Sequence, residues 1–158
     1  MIYAGIGSRQ TPAPILERME EISKSFNEKG YMLRSGGAVG ADTAFSKHST
    51  NKEIFIPWNG FNGLWEDAQH FVVHDTDVLQ EAESIMKTLH PNYHALGVAA
   101  RKLHTRNVFQ ILGVDLKTPV DLVVYWAPKG AGNTVRGGTA TAVKLARKLK
   151  IREYYVEI

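Results

Sequence analysis

A chain of 158 residues, 44% of them hydrophobic, has the size of one domain and enough apolar side chains to build a core without disulfides. Charged residues make up 22% and the formal net charge is +3, which excludes the low-hydropathy, high-charge signature of disorder and tilts the choice of partner towards anions. With no cysteine there are no disulfides, thiolate metal sites or thiol nucleophiles, and the opening MIYAGIG is too short for a signal peptide or membrane span, so a cytoplasmic location and no membrane partner are expected.

Ile2 to Ile6 is a brief apolar run ending in glycine, which predicts a buried first strand. From Ile15 to Lys29, Ile15, Met19, Ile22 and Phe26 fall on one helical face with Glu17, Glu20, Glu21 and Lys24 largely outside, and Gly30 stops the helix. Tyr31 to Arg34 reads as a second strand, and SGGAVGAD leads into a helix from about Ala41 to Lys47. Glu53 to Trp58 is a third strand, and Asn59 to Asp67, without a clear period, is a loop over the sheet. Asp77 to Leu89 and Ala95 to Leu112 read as helices separated at Pro91, the second ended by Gly113. Asp121 to Trp126 is an apolar inner strand, Thr139 to Leu149 a helix, and Glu153 to Ile158 a closing strand. This alternation predicts a single α/β domain over 1–158 with a mostly parallel sheet covered on both faces, its ligand beyond the carboxyl ends of the strands.

Three glycine-containing loops stand at that rim. The first brings Gly5, Gly7, Ser8 and Arg9, where glycine permits close backbone approach, Ser8 offers a hydroxyl and Arg9 can clamp a phosphate. The second, Ser35, Gly36, Gly37, Ala38, Val39, Gly40, Ala41 and Asp42, leaves backbone N–H groups exposed at a helix start. Asp42 reads either as a helix cap or as a carboxylate for a ribose hydroxyl or general-base chemistry. The third runs through Gly130, Gly132, Asn133, Thr134, Arg136, Gly137, Gly138, Thr139 and Thr141, and no lysine follows in the P-loop arrangement. On the long helix Arg106 and Asn107 are candidates to face the crevice, and Trp58 and Trp126, near carboxyl ends of strands, are candidates to stack a base. His70 with His74 and His90 with His94 are four apart, but Pro91 interrupts the second pair and neither sits in an HExxH frame, so neither a metal site nor a cofactor is implied. The late basic run Lys144, Arg147, Lys148, Lys150 and Arg152 reads as a solvated helix face or, alternatively, a track for a nucleic-acid backbone.

With GIGSR, RSGGAVGAD and RGGTATA on the page, the chain resembles the SLOG superfamily, the Rossmann-like group that includes the DNA-processing protein A family and the LOG phosphoribohydrolases. RSGGAVGAD is similar to the S-G-x-A-x-G-x-D loop of the former, and a mid-chain RNxxQxLG, here Arg106, Asn107, Gln110, Leu112 and Gly113, is similar to that of small SLOG proteins of bacteria and phages. The resemblance implies a Rossmann-like three-layer sandwich that binds a nucleotide or nucleotide-derived phosphate ligand. It leaves two alternatives: N-glycosidic hydrolysis of nucleoside 5′-monophosphates, with Asp42 as the acid, and binding of single-stranded DNA. The LOG glutamate has no counterpart, since the pattern laid on Gly137 places Val143 there, and the flanking domains of DNA-processing protein A have no room in this chain. A homo-oligomer is compatible with all of these readings.

Overall fold

The computed structural model describes residues 1–130, 132, 135 and 137–158. In chain order the strands are β1 (Ile2–Gly7), β2 (Met32–Ser35), β3 (Lys52–Phe55), β4 (His70–Phe71), β5 (Leu122–Trp126) and β6 (Arg152–Tyr155). The helices are α1 (Ala13–Glu28), α2 (Ala41–Lys47), α3 (Thr76–Leu89), α4 (Val98–Leu112) and α5 (Thr139–Lys148). The six strands form one sheet in the order β4-β3-β2-β1-β5-β6, with every pair parallel. The result is a Rossmann-like three-layer sandwich.

Alternation along each strand builds the two halves of the core. Tyr3, Leu33, Ile54 and Val124 pack with Ile15 and Met19 of α1 and Phe45 of α2, whereas Ala4, Phe55, Val123 and Tyr125 pack with Met86 of α3, Val108 and Phe109 of α4 and Val143 of α5. Phe55 stacks on Phe109 at 5.9 Å between ring centroids, which ties α4 to the middle of the sheet. The central strands β1 and β5, buried along most of their length, read in sequence as apolar runs.

Local chemistry sets the boundaries. Pro12 and Pro14 open α1, where a missing N–H costs nothing, and Gly30 follows it with a φ of +77°. Asp75 caps α3, accepting from Asp77 N at 3.0 Å and Val78 N at 3.1 Å. Three expectations shift. Strand β3 ends at Phe55 rather than Trp58, because Pro57 has no N–H to give the ladder. Helix α4 starts at Val98 after Gly97, with Tyr93–Ala95 forming a separate 3-10 turn. Strand β6 stops at Tyr155, short of Ile158, and the two-residue strand β4 is additional, being too brief to carry any period.

The topology positions the site. From β1 the chain moves outward through β2, β3 and β4, then returns to place β5 on the other side of β1. The loops leaving β1 and β5 therefore diverge, and a crevice opens between them at the carboxyl ends of the strands.

Candidate functional site

A cleft of about 650 Å³ lies at that switch point. Gly7, Ser8 and Arg9 of the first loop, Ala38 and Asp42 of the second, Gly137, Gly138 and Thr139 of the third, and His104, Arg106, Asn107 and Gln110 of α4 all line it. The loops read from the sequence thus meet around one hollow, with α4 as an additional wall.

Close backbone approach makes this convergence feasible. A Cβ on Gly7 would lie 2.6 Å from Ala41 Cβ and 2.7 Å from the Trp126 carbonyl, so glycine lets α2 and the end of β5 crowd the first loop. Ser8 anchors that loop: its N–H donates to Trp126 O at 3.1 Å, and its hydroxyl oxygen accepts from Gln10 N at 3.0 Å. Arg9 is exposed, with its guanidinium carbon 6.0 Å from the Phe61 ring centroid.

The second loop works differently from the phosphate cradle expected of it. Ser35 is fully buried and donates to Gly5 O at 2.6 Å. A Cβ on Gly36 would collide with Gln110 Nε2 and lie 2.8 Å from Asp42 Oδ2 and 2.9 Å from Arg106 Nη1. Gly37, at φ +71°, faces Leu64, Ile56 and Ile54, and Gly40, at φ +86°, abuts the backbone of Ser8 and Arg9. None of these four residues lines the cleft; Gly36 and Gly40 make room for neighbours that do, Asp42, Arg106 and Gln110 beside the one and Ser8 and Arg9 beside the other. Asp42 does line it, but not as an ordinary cap: Gly40 occupies that position, and the Asp42 carboxylate accepts from Ala38 N at 3.1 Å.

A polar network crosses the floor. Arg106 Nη1 donates to the carbonyls of Gly36 and of Phe55, the latter at 3.0 Å, and its Nε donates to Asn107 Oδ1 at 2.9 Å. Asn107 Nδ2 donates to Gly138 O at 2.9 Å, and Gln110 Nε2 donates to Asn107 Oδ1 at 3.2 Å. The second loop, β3, α4 and the start of α5 are thereby held in register by two adjacent side chains. Gly138 stands at the N-cap of α5 with no described side chain capping the helix, so Gly138 and Thr139 bring the positive end of the helix dipole to the cleft.

The electrostatics follow from burial. Arg106 is 8% exposed and makes no ion pair among the described residues. Loss of solvent pushes it down to about 10, against the pull of Asp42, and it remains charged at neutral pH. Asp42, 5% exposed, is raised to about 6 by the same loss of solvent, which the nearby Arg106 charge only partly offsets. His104, half-buried and bonded through Nδ1 to Thr141 Oγ1 at 2.9 Å, is held below the usual histidine value by burial first and then by His90 and Arg106.

Arg136, Asn133 and Thr134 lie outside the described residues. Trp58 and Trp126 do not line the cleft: Trp58 lines a second hollow across α4, and Trp126 packs against the α1 and α2 half of the core. His70 bonds Asp67 at 2.8 Å and His74 bonds Glu66 at 2.8 Å. Gln110 and His104 were not among the expected site residues. Their signal is the set of polar residues at 104, 107 and 110, spaced by three along a helix whose last turns are otherwise buried.

The chain matches no protein-family model and no curated protein. It is similar in structure to DNA processing protein A from Helicobacter pylori, a protein described for its mode of binding single-stranded DNA, with a TM-score of 0.61 at 12% identity over 98% of this chain and 64% of that one. It is also similar to the molybdenum cofactor carrier protein from Chlamydomonas reinhardtii, with a TM-score of 0.53 at 17% identity over 98% of this chain and 75% of that one. The chain therefore spans less than two thirds of the DNA processing protein, and at these identities the likeness establishes the Rossmann-like fold. Among the described residues no helix is long and apolar enough to cross a membrane.

Proposed function

We propose that the protein binds a nucleotide or nucleotide-derived ligand, seating its phosphate in the cleft between Arg9, Arg106 and the start of α5. The observation that carries this reading is Arg106: a buried guanidinium facing a cleft, hydrogen-bonded to two carbonyls and an amide but making no described ion pair. A charge removed from water is costly unless paired, and an entering anion supplies the pair. Backbone N–H groups of Gly138 and Thr139 complete a site of the kind that phosphates favour at helix N-termini. The SLOG resemblance of GIGSR and RSGGAVGAD accords with it.

A second reading, binding of single-stranded DNA, draws on the fold likeness to DNA processing protein A. The basic residues do not favour it equally: Lys148, Lys150 and Arg152 follow the C-terminal end of α5, roughly 15 Å from the end that lines the cleft. Titration calorimetry with nucleoside 5′-monophosphates and with oligonucleotides at two salt concentrations separates the two. The first reading expects saturable monophosphate binding that Arg9→Ala, at an exposed position, weakens by about tenfold without altering the circular dichroism. The second expects affinity that grows with oligonucleotide length and falls steeply with salt. Failure of monophosphates to bind sinks the first. Asp42, the carboxylate that N-glycosidic hydrolysis would use, lines the same cleft, and free base released from a bound monophosphate is the readout for catalysis.

A further inference from the structure

On the other side of α4, between α3 and the ends of β3 and β4, lies a second hollow of about 610 Å³, a size common among small-molecule sites. Trp58, Phe71, Val73 and Phe109 are among its walls, and its lining is more apolar than that of the cleft. The edge along α4 is cationic. Val98, the first residue of that helix, lines the hollow, and Arg101 and Lys102 follow it there. Gly97 at the N-cap offers no side chain and the first turn holds no acidic residue, so Val98 brings the positive end of the helix dipole to the same edge. Two cations set against that dipole cost stability until an anion joins them.

Arg101 is the group left open. Its guanidinium lies 4.6 Å over the Tyr93 ring, which fixes its plane without using its N–H groups. Among the described residues its side chain makes no ion pair, and its Nε is buried without a hydrogen-bond partner. Glu83, the carboxylate in the lining, accepts from Tyr93 Oη at 2.6 Å and pairs with Lys87 at 3.9 Å instead.

We propose that the hollow is a second binding site, for a small organic acid with one carboxylate on an apolar body, the carboxylate meeting Arg101 and the body filling the aromatic recess. This site is separate from the cleft, and the proposal stands whether or not the phosphate reading does. A guanidinium presents parallel N–H donors that match the two oxygens of a carboxylate, and the apolar walls take the body out of water. Phosphate fits less well, because its remaining oxygens would meet Trp58, Phe71 and Phe109 without donors.

The test is calorimetry on the full chain with phenylbutyrate, octanoate, the carboxamide of each and a tripeptide ending in leucine, repeated with Arg101→Met, which keeps apolar bulk beside Tyr93. At least one of the two acids should bind saturably, and its carboxamide about tenfold more weakly, the difference expected of one charge-assisted pair. Arg101→Met should bring the acid down to the affinity of its carboxamide. Excess inorganic phosphate at constant ionic strength should leave the acid's affinity unchanged. Failure of both acids to bind overturns the proposal, as does equal affinity for acid and carboxamide, a comparison made in the parent protein and so independent of how the variant folds. Undiminished binding by a folded Arg101→Met protein also overturns it, and displacement by phosphate does so by placing the acid in the cleft. A tripeptide that binds more tightly than either acid overturns it in favour of a protein C-terminus.

Discussion

Arg106→Gln is expected to lose about a hundredfold in affinity for the phosphate ligand, close to 3 kcal/mol, because a buried, hydrogen-bonded charge aimed at an anion is worth more than one in water. The glutamine amide can replace at most part of the network to Gly36, Phe55 and Asn107. Stability should respond far less than binding does. In the unliganded protein the guanidinium is a desolvated cation without an ion-pair partner among the described residues, so removing it deletes a cost along with the hydrogen bonds. Calorimetry beside a urea melt checks both halves: a folded Arg106→Gln protein that binds as tightly as the parent would remove the site.

Asp42→Asn should show its effect through pH. The carboxyl titrates near 3.8 when solvated and at about 6 in the fold. The folded state therefore holds the proton more tightly, so the contribution of this group is fully present below pH 3.8 and is lost as pH rises through about 6. The full cost of carrying the buried carboxylate, reached above that point, is about 3 kcal/mol. The asparagine variant keeps an acceptor for Ala38 N but cannot ionise. Relative to the parent it should gain up to that amount between pH 4 and pH 7, with no such pH-dependent gain below pH 4. Urea unfolding of both proteins across this range, giving parallel curves, would show that Asp42 is not desolvated as described.

Much of the architecture was legible because short apolar runs closed by glycine, such as Ile2–Ile6, and helices with a clean three-to-four spacing, such as Ile15 to Phe26, each admit few alternatives. Strand β4 was not, since two residues carry no period and His70–Phe71 is a strand only through its pairing with Ile54 and Phe55. The first and third loops were placed at the cleft by their position after strands and before helices. The glycines at 36, 37 and 40 also look like a cradle in sequence, yet steric demands from Gln110, Leu64 and the Ser8–Arg9 backbone account for them without a ligand. Gln110 and His104 were missed because a polar residue on a helix has the same appearance whether it meets solvent or a closed crevice. Only the docking of α4 against β2 and β3 distinguishes the two.

The cleft draws its walls from within residues 6–10, 38–42, 100–110 and 137–139 and from Pro128, segments that meet only once the crossover from β4 to β5 has been completed. No single supersecondary unit carries enough of the wall to recognise a ligand. Occupancy is thereby coupled to the cooperative folding of the whole chain: a ligand at a hundred times its dissociation constant adds about 2.7 kcal/mol to global stability. Melting temperature thus becomes a generic reporter for candidate compounds, and a peptide cut from any one quarter of the molecule should recognise none of them.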